Sequence, residues 1–94
     1  MANRLSEKIK EAQRKGTKLF CAYVTLGFPN LSFTAALIPR LEQAGCDIIE
    51  LGFPFSDPLA DGPTIQFASE QAIKRGVRFR DAIYLVRTLR RKGV

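Results

Sequence analysis

The sequence predicts an α/β fold built on a parallel sheet. Three observations carry that reading. Apolar runs that suit buried strands, Lys18 to Thr25 and Asp47 to Leu51, alternate with stretches of helical periodicity. Both runs are apolar on both faces, as strands covered from two sides are. The segment Leu26-Gly27-Phe28-Pro29 recurs 25 residues later as Leu51-Gly52-Phe53-Pro54, and each copy closes a strand. Strand, tight turn and helix therefore form a repeating unit.

The elements follow in order. Asn3 to Lys15 reads as an amphipathic helix with Leu5, Ile9 and Ala12 on one face and Gly16 as its stop. After the first strand, Ser32 is placed to cap a second helix that runs to about Ala44. Phe33, Leu37, Leu41 and Ala44 would form its apolar side, and Gly45 ends it. Pro39 falls inside this helix, removes a backbone hydrogen bond and predicts a kink. Phe55 to Gly62 holds prolines, glycine and two aspartates and reads as a loop. Pro63 suits the first turn of a third helix, with Ile65, Ala68, Ala72 and Ile73 apolar and Gly76 as its stop. A last helix starts near Arg80, with Ala82, Leu85, Val86 and Leu89 as its stripe. Arg78, near its start, is a poor capping residue.

Length and composition narrow the classes. At 94 residues and 46% hydrophobic, the chain has room for one small globular domain. No apolar run is long enough to span a membrane, and the first residues lack the apolar core of a secretory signal. Fifteen basic and nine acidic residues give a net charge of +6, with much of the excess in Lys74, Arg75, Arg78, Arg80, Arg87, Arg90, Arg91 and Lys92. A solvated helix face and a nucleic-acid surface both produce such a cluster. No pattern of an RNA-binding or zinc-finger domain accompanies it. The chain has no histidine and only Cys21 and Cys46, which excludes a Cys–His catalytic pair and leaves too few ligands for a structural zinc site. Both cysteines read as buried thiols of a reducing, cytoplasmic compartment.

Glu50 is the residue that does not fit a simple core. It shares a strand face with Ile48 and opposes Ile49 and Leu51, at the strand's C-terminal end. A carboxylate there is costly unless it is paired or functional. The C-terminal rim of parallel strands is where ligands bind in α/β folds. A structural ion pair with a neighbouring Arg or Lys explains it equally well. Thr25 holds the equivalent place before the first turn. In the loop, Asp57 precedes a proline and Asp61 precedes Gly62-Pro63. Turn chemistry and helix capping account for both. The alternative is that the loop brings a second carboxylate to Glu50, so that two carboxylates divide acid and base work.

The run from Glu50 to Gln66, Glu-Leu-Gly-Phe-Pro-Phe-Ser-Asp-Pro-Leu-Ala-Asp-Gly-Pro-Thr-Ile-Gln, resembles the signature of the tryptophan synthase alpha subunit. Tyr23-Val24-Thr25-Leu26-Gly27 and Pro29 are similar to that family's first strand and turn. The resemblance implies a (β/α)8 TIM barrel, of which this chain would hold an N-terminal helix and the first two βα units. It implies retro-aldol cleavage of indole-3-glycerol phosphate to indole and glyceraldehyde 3-phosphate. Glu50 matches the general acid/base and Asp61 the carboxylate on the indole N–H. Tyr23 and Thr25 match substrate-lining positions. Asp57 and Pro54 match the segment that faces the beta subunit, expected as partner in an alpha2-beta2 tetramer. No metal or cofactor is implied for this chain, since pyridoxal phosphate belongs to the beta partner. A stand-alone indole-glycerol phosphate lyase and a non-catalytic basic binding module are the alternative readings.

The sequence also departs from the pattern. Phe28 stands where the family more often has Asp or a small polar residue, and Pro39 is unusual in its helix. The resemblance places the third strand just after Val94, together with every later strand and the phosphate-binding loops. These 94 residues alone are therefore expected to be catalytically silent.

Overall fold

Asn3 opens the first helix, α1 (Arg4–Lys15), where its side-chain oxygen accepts the Ser6 N–H at 2.9 Å. Gly16 closes it at φ 70°, a left-handed conformation that glycine adopts without strain. The computed structural model describes residues 3–55 and 61–94. The order that follows is β1 (Cys21–Thr25), α2 (Leu31–Gln43), β2 (Ile48–Gly52), α3 (Pro63–Lys74) and α4 (Phe79–Arg91). This is the predicted alternation, and β1 and β2 pair in parallel. Among the described residues no helix is long and apolar enough to cross a membrane.

The first strand is shorter than the apolar run that announced it. Phe20 is 63% exposed and lies before the strand. Its N–H donates to the Asp47 carboxylate at 2.9 Å, and its carbonyl accepts the Asp47 and Ile48 N–H groups. Asp47 also meets Lys8 of α1 at 3.7 Å, so one carboxylate ties α1, the approach to β1 and the approach to β2 together.

The register sets Cys21, Tyr23 and Thr25 opposite Ile48, Glu50 and Gly52. Side chains alternate along a strand, so these six share one face. The other face carries Val24, Ile49 and Leu51, and it meets the core of Leu26, Ile38, Leu85 and Leu89. That core joins the sheet to α2 and α4. The predicted α4 stripe holds for Ala82, Leu85 and Leu89, whereas Val86 is 42% exposed.

Helix α2 corrects two expectations. Its cap is Asn30, not Ser32: the Asn30 side chain accepts the Phe33 N–H at 2.8 Å. Its inward face is Leu31, Thr34, Ala35 and Ile38, spaced i, i+3, i+4 and i+7, while Phe33 is 49% exposed. The shift follows from Thr34. Fully buried, its Oγ accepts the Gly27 N–H at 3.0 Å and donates to the Asn30 carbonyl at 3.3 Å. A hydroxyl satisfied on both sides can occupy the core, and it turns the helix about its axis. The helix runs through Pro39 to Gln43, so the proline does not end it.

The two repeated turns are built differently. Gly27 has φ +85°, and a Cβ there would overlap a methyl of Val77, at the junction of α3 and α4. Phe28 meets Phe67 of α3 edge-on at 5.9 Å. Phe53 meets Phe79 of α4 edge-on at 5.5 Å. The first turn thus anchors α3 and the second α4. Arg78 does begin α4, and the missing side-chain cap is supplied from inside the helix, where Asp81 accepts the Arg78 N–H at 2.8 Å.

Candidate active site

Glu50 sits at the third of β2's five positions, one residue further from the strand's end than the span Asp47 to Leu51 implied. The strand continues through Leu51 and Gly52 because the Leu26 N–H reaches the Gly52 carbonyl at 2.8 Å. Thr25 and Glu50, equivalent in the repeat, are therefore not partners. Thr25 pairs with Gly52 and Glu50 with Tyr23. A stagger between successive parallel strands is what a sheet tilted into a barrel requires.

Tyr23 and Glu50 lie together on the face opposite the core. Tyr23 is 46% exposed and Glu50 is exposed. Among the described residues the Glu50 side chain has neither a hydrogen bond nor an ion pair, so the structural pairing that would have explained it equally well is not found there. Cys21, on the same face, is exposed and not buried as expected, and Cys46 is partly buried. The expectation assumed cover on both faces, and in this structure the helices bury only one. Cys46 Sγ lies 3.2 Å from the Ile48 carbonyl.

Thr25 is 7% exposed at the C-terminal end of β1. Asp61 is partly buried and lies one residue before the cap of α3. That cap is Gly62, with no side-chain hydrogen bond, so Asp61 does not perform the capping that was the simpler explanation for it. Its backbone carbonyl accepts the Gln66 side-chain N–H at 2.7 Å, which fixes the chain direction into α3. Pro54 is buried. Asp57 falls outside the described residues. Among the described residues no three His, Cys, Asp or Glu converge as a metal-binding set.

Gly52 was not singled out in the sequence. A Cβ at Gly52 would overlap the Tyr23 hydroxyl and ring, so the phenol lies directly on this glycine. A cleft of about 380 Å³ opens elsewhere, between α1, α2 and α4 beside β2, and is lined by Arg4, Lys8, Glu42, Asp47 and Arg90 among others. None of Tyr23, Thr25, Glu50 or Asp61 borders it. Tyr23, Thr25 and Glu50 instead share one strand face, and Asp61 lies apart from the strands, before α3.

The family model for the tryptophan synthase alpha chain matches residues 9–94. The chain belongs to that family. The tryptophan synthase alpha chain of Pelobacter propionicus is 48% identical over 89 residues, which is 95% of this chain and 33% of that one. The Aquifex aeolicus tryptophan synthase alpha chain is 44% identical, covering 95% of this chain and 34% of its own length. The crystal structure of tryptophan synthase subunit alpha from Legionella pneumophila superposes with a TM-score of 0.92 at 35% identity, over 97% of this chain and 35% of that one. Tryptophan synthase from M. tuberculosis, in an open form with BRD0059 bound, gives 0.88 at 36% identity, over 99% of this chain and 37% of that one. This chain spans about a third of the length of the relatives it matches. The fold is accordingly that of the TIM-barrel family, represented by an N-terminal helix and two βα units.

Proposed function

We propose that this chain is the N-terminal part of a single TIM-barrel domain, residues 1–94, of a tryptophan synthase alpha chain. The whole enzyme would be a lyase that cleaves indole-3-glycerol phosphate by a retro-aldol route. The observation that carries the reading is Glu50: an exposed carboxylate beside Tyr23 on the open face of two parallel strands, with no side-chain partner among the described residues. A carboxylate in that place is available to move protons.

The chemistry assigns each residue a task. Glu50 delivers a proton to the ring carbon that bears the glycerol phosphate chain. The ring nitrogen then carries positive charge, which Asp61 stabilises by accepting a hydrogen bond from its N–H. The C–C bond breaks and its electrons restore the aromatic indole. The neighbouring hydroxyl loses its proton to Glu50 and becomes the aldehyde of glyceraldehyde 3-phosphate. Every atom and charge is accounted for without a metal or cofactor on this chain. Tyr23 lines the space for the indole ring, and Thr25 adds to the substrate-binding surface.

The partner is a tryptophan synthase beta subunit in an alpha2-beta2 assembly, in the cytoplasm, with pyridoxal phosphate held by that partner. Pro54, buried here, and Asp57 are the residues proposed for the contact with that partner. The test is indole release from indole-3-glycerol phosphate by the full-length protein, with and without a beta subunit. No indole under either condition overturns the proposal. Full activity without a beta subunit favours the stand-alone lyase instead.

A further inference from the structure

Gly52 is the last residue of β2, paired with Thr25, a place where a side chain would ordinarily pack on the sheet face. Its neighbour in the repeat, Gly27, has two reasons to be glycine: φ of +85° and the methyls of Val77. Gly52 has no positive φ, so its backbone conformation is open to any residue. The three atoms nearest to a side chain placed there all belong to the Tyr23 phenol. A Cβ at Gly52 would overlap the Tyr23 hydroxyl, the ring carbon that bears it and one adjacent ring carbon.

The register shows how the ring comes to be there. The direct partner of Tyr23 is Glu50, and Gly52 is the partner of Thr25. The ring therefore leans diagonally across β2, past Glu50, toward the C-terminal rim of the sheet. Diagonal neighbours on one sheet face are within reach of an aromatic side chain. With the ring seated this way, Glu50 is left uncovered. We infer that Gly52 is a positioning residue for the proposed reaction, seating the Tyr23 phenol so that the aromatic wall stands beside Glu50 instead of over it. The inference rests on the reading of Tyr23 and Glu50 given above.

A side chain at position 52 would press on the far end of the Tyr23 side chain and not on backbone, so the ring is what must shift. Displacement of a substrate-positioning group by about 1 Å can cost roughly 10²-fold in rate. The experiment is a double-mutant cycle in the full-length protein with Gly52→Ala, Tyr23→Leu and the pair. Each variant is read as kcat and KM for indole-3-glycerol phosphate and as an unfolding midpoint. Gly52→Ala alone should lower kcat/KM by about 10-fold or more. In the Tyr23→Leu background the same change should cost less than about 2-fold, because the ring it displaces is gone.

Equal losses in both backgrounds would overturn the inference, as would normal kinetics for Gly52→Ala. A lowered unfolding midpoint with unchanged KM and kcat would reduce the contact to structural cover and also overturn it. If Gly52→Ala fails to fold but the double variant folds, the ring is the obstacle and the seating stands. If both fail, the backbone requires the glycine and the inference falls. A 3-fluorotyrosine at position 23 reports the seating without any reaction. Its resonance should move on Gly52→Ala, and a fixed resonance overturns the inference even if indole release is confirmed. A moved resonance in a protein that releases no indole would preserve the contact and remove the proposed function.

Discussion

Tyr23 and Glu50 are direct partners across the parallel strand pair, on the face turned away from the Leu26–Ile38–Leu85–Leu89 core. An aromatic surface and a carboxylate held side by side can bind a flat ring and protonate it. The first prediction follows. In the full-length protein Glu50→Gln should lower kcat by a factor of at least about 10², because a positioned acid/base supplies roughly 10²–10⁴-fold. Asp61→Asn should also cost activity, through lost stabilisation of the ring's positive charge. Steady-state indole release measures both. Near-normal turnover of Glu50→Gln would remove it from the mechanism.

Thr34 gives the second prediction. Its hydroxyl is fully buried and holds the first turn to the start of α2 through Gly27 and Asn30. Thr34→Val keeps the shape but leaves the Gly27 N–H without its acceptor. The expected loss is about 1–3 kcal/mol. Thr34→Ser should retain most of the stability, since it keeps the oxygen. Urea unfolding midpoints of the two variants decide it, and equal midpoints would show that the hydrogen bond contributes nothing.

These two residues also mark what the sequence could reveal. Element order, the parallel pairing and the location of Glu50 followed from apolar runs and period-2 alternation, which are local signals. The inward face of α2 did not. Thr34 is polar, so a hydrophobic pattern assigns Phe33 to the core in its place, and only the turn above Thr34 makes its burial affordable. The two Leu-Gly-Phe-Pro segments read as equivalent, yet Gly27 answers to backbone conformation and Val77, and Gly52 to Tyr23. That difference depends on strand register, which spacing alone does not supply. The Asn30 cap could have been found, since Asn ranks with Ser at that position and stands just before the helix. The exposure of Cys21 could not, because the strand reads the same with one face covered or two.

Glu11 in α1 carries a small, signed electrostatic prediction. The hydrogen bond from Lys15, at 2.8 Å, and then its charge hold the Glu11 carboxyl below its ordinary value, with Arg14 and Lys8 adding to the effect. A lowered carboxyl contributes above its unfolded value, and the contribution is lost as pH falls through the lowered one. The pair is on the open surface, so salt should weaken it. Lys15→Gln should bring the Glu11 titration back up toward the ordinary carboxylate range. An NMR titration of the Glu11 carboxyl carbon follows it directly, and an unchanged midpoint would dismiss Lys15 as the cause.

The last prediction concerns these 94 residues by themselves. Tyr23, Glu50 and Asp61 are all present, so half of the proposed chemistry is encoded. Enclosure is what the chain does not supply. In β1 and β2 Cys21, Tyr23 and Glu50 are exposed, and a two-stranded sheet leaves two unpaired edges. A barrel closed around this face would exclude water from the carboxylates and hold the substrate's phosphate in register with Glu50. The 94-residue chain should therefore release no detectable indole. Mixing it with a second chain that supplies the later strands should restore some activity, because the break would fall between βα units. Cys21 offers a reporter of that assembly which needs no substrate. On the open face its thiol should react readily with an aromatic disulfide reagent, and its reaction should slow when the complementing strands bury it. Turnover by the 94 residues alone, or a Cys21 thiol that stays equally reactive in an active complemented mixture, would show that closure over this face is not what catalysis requires.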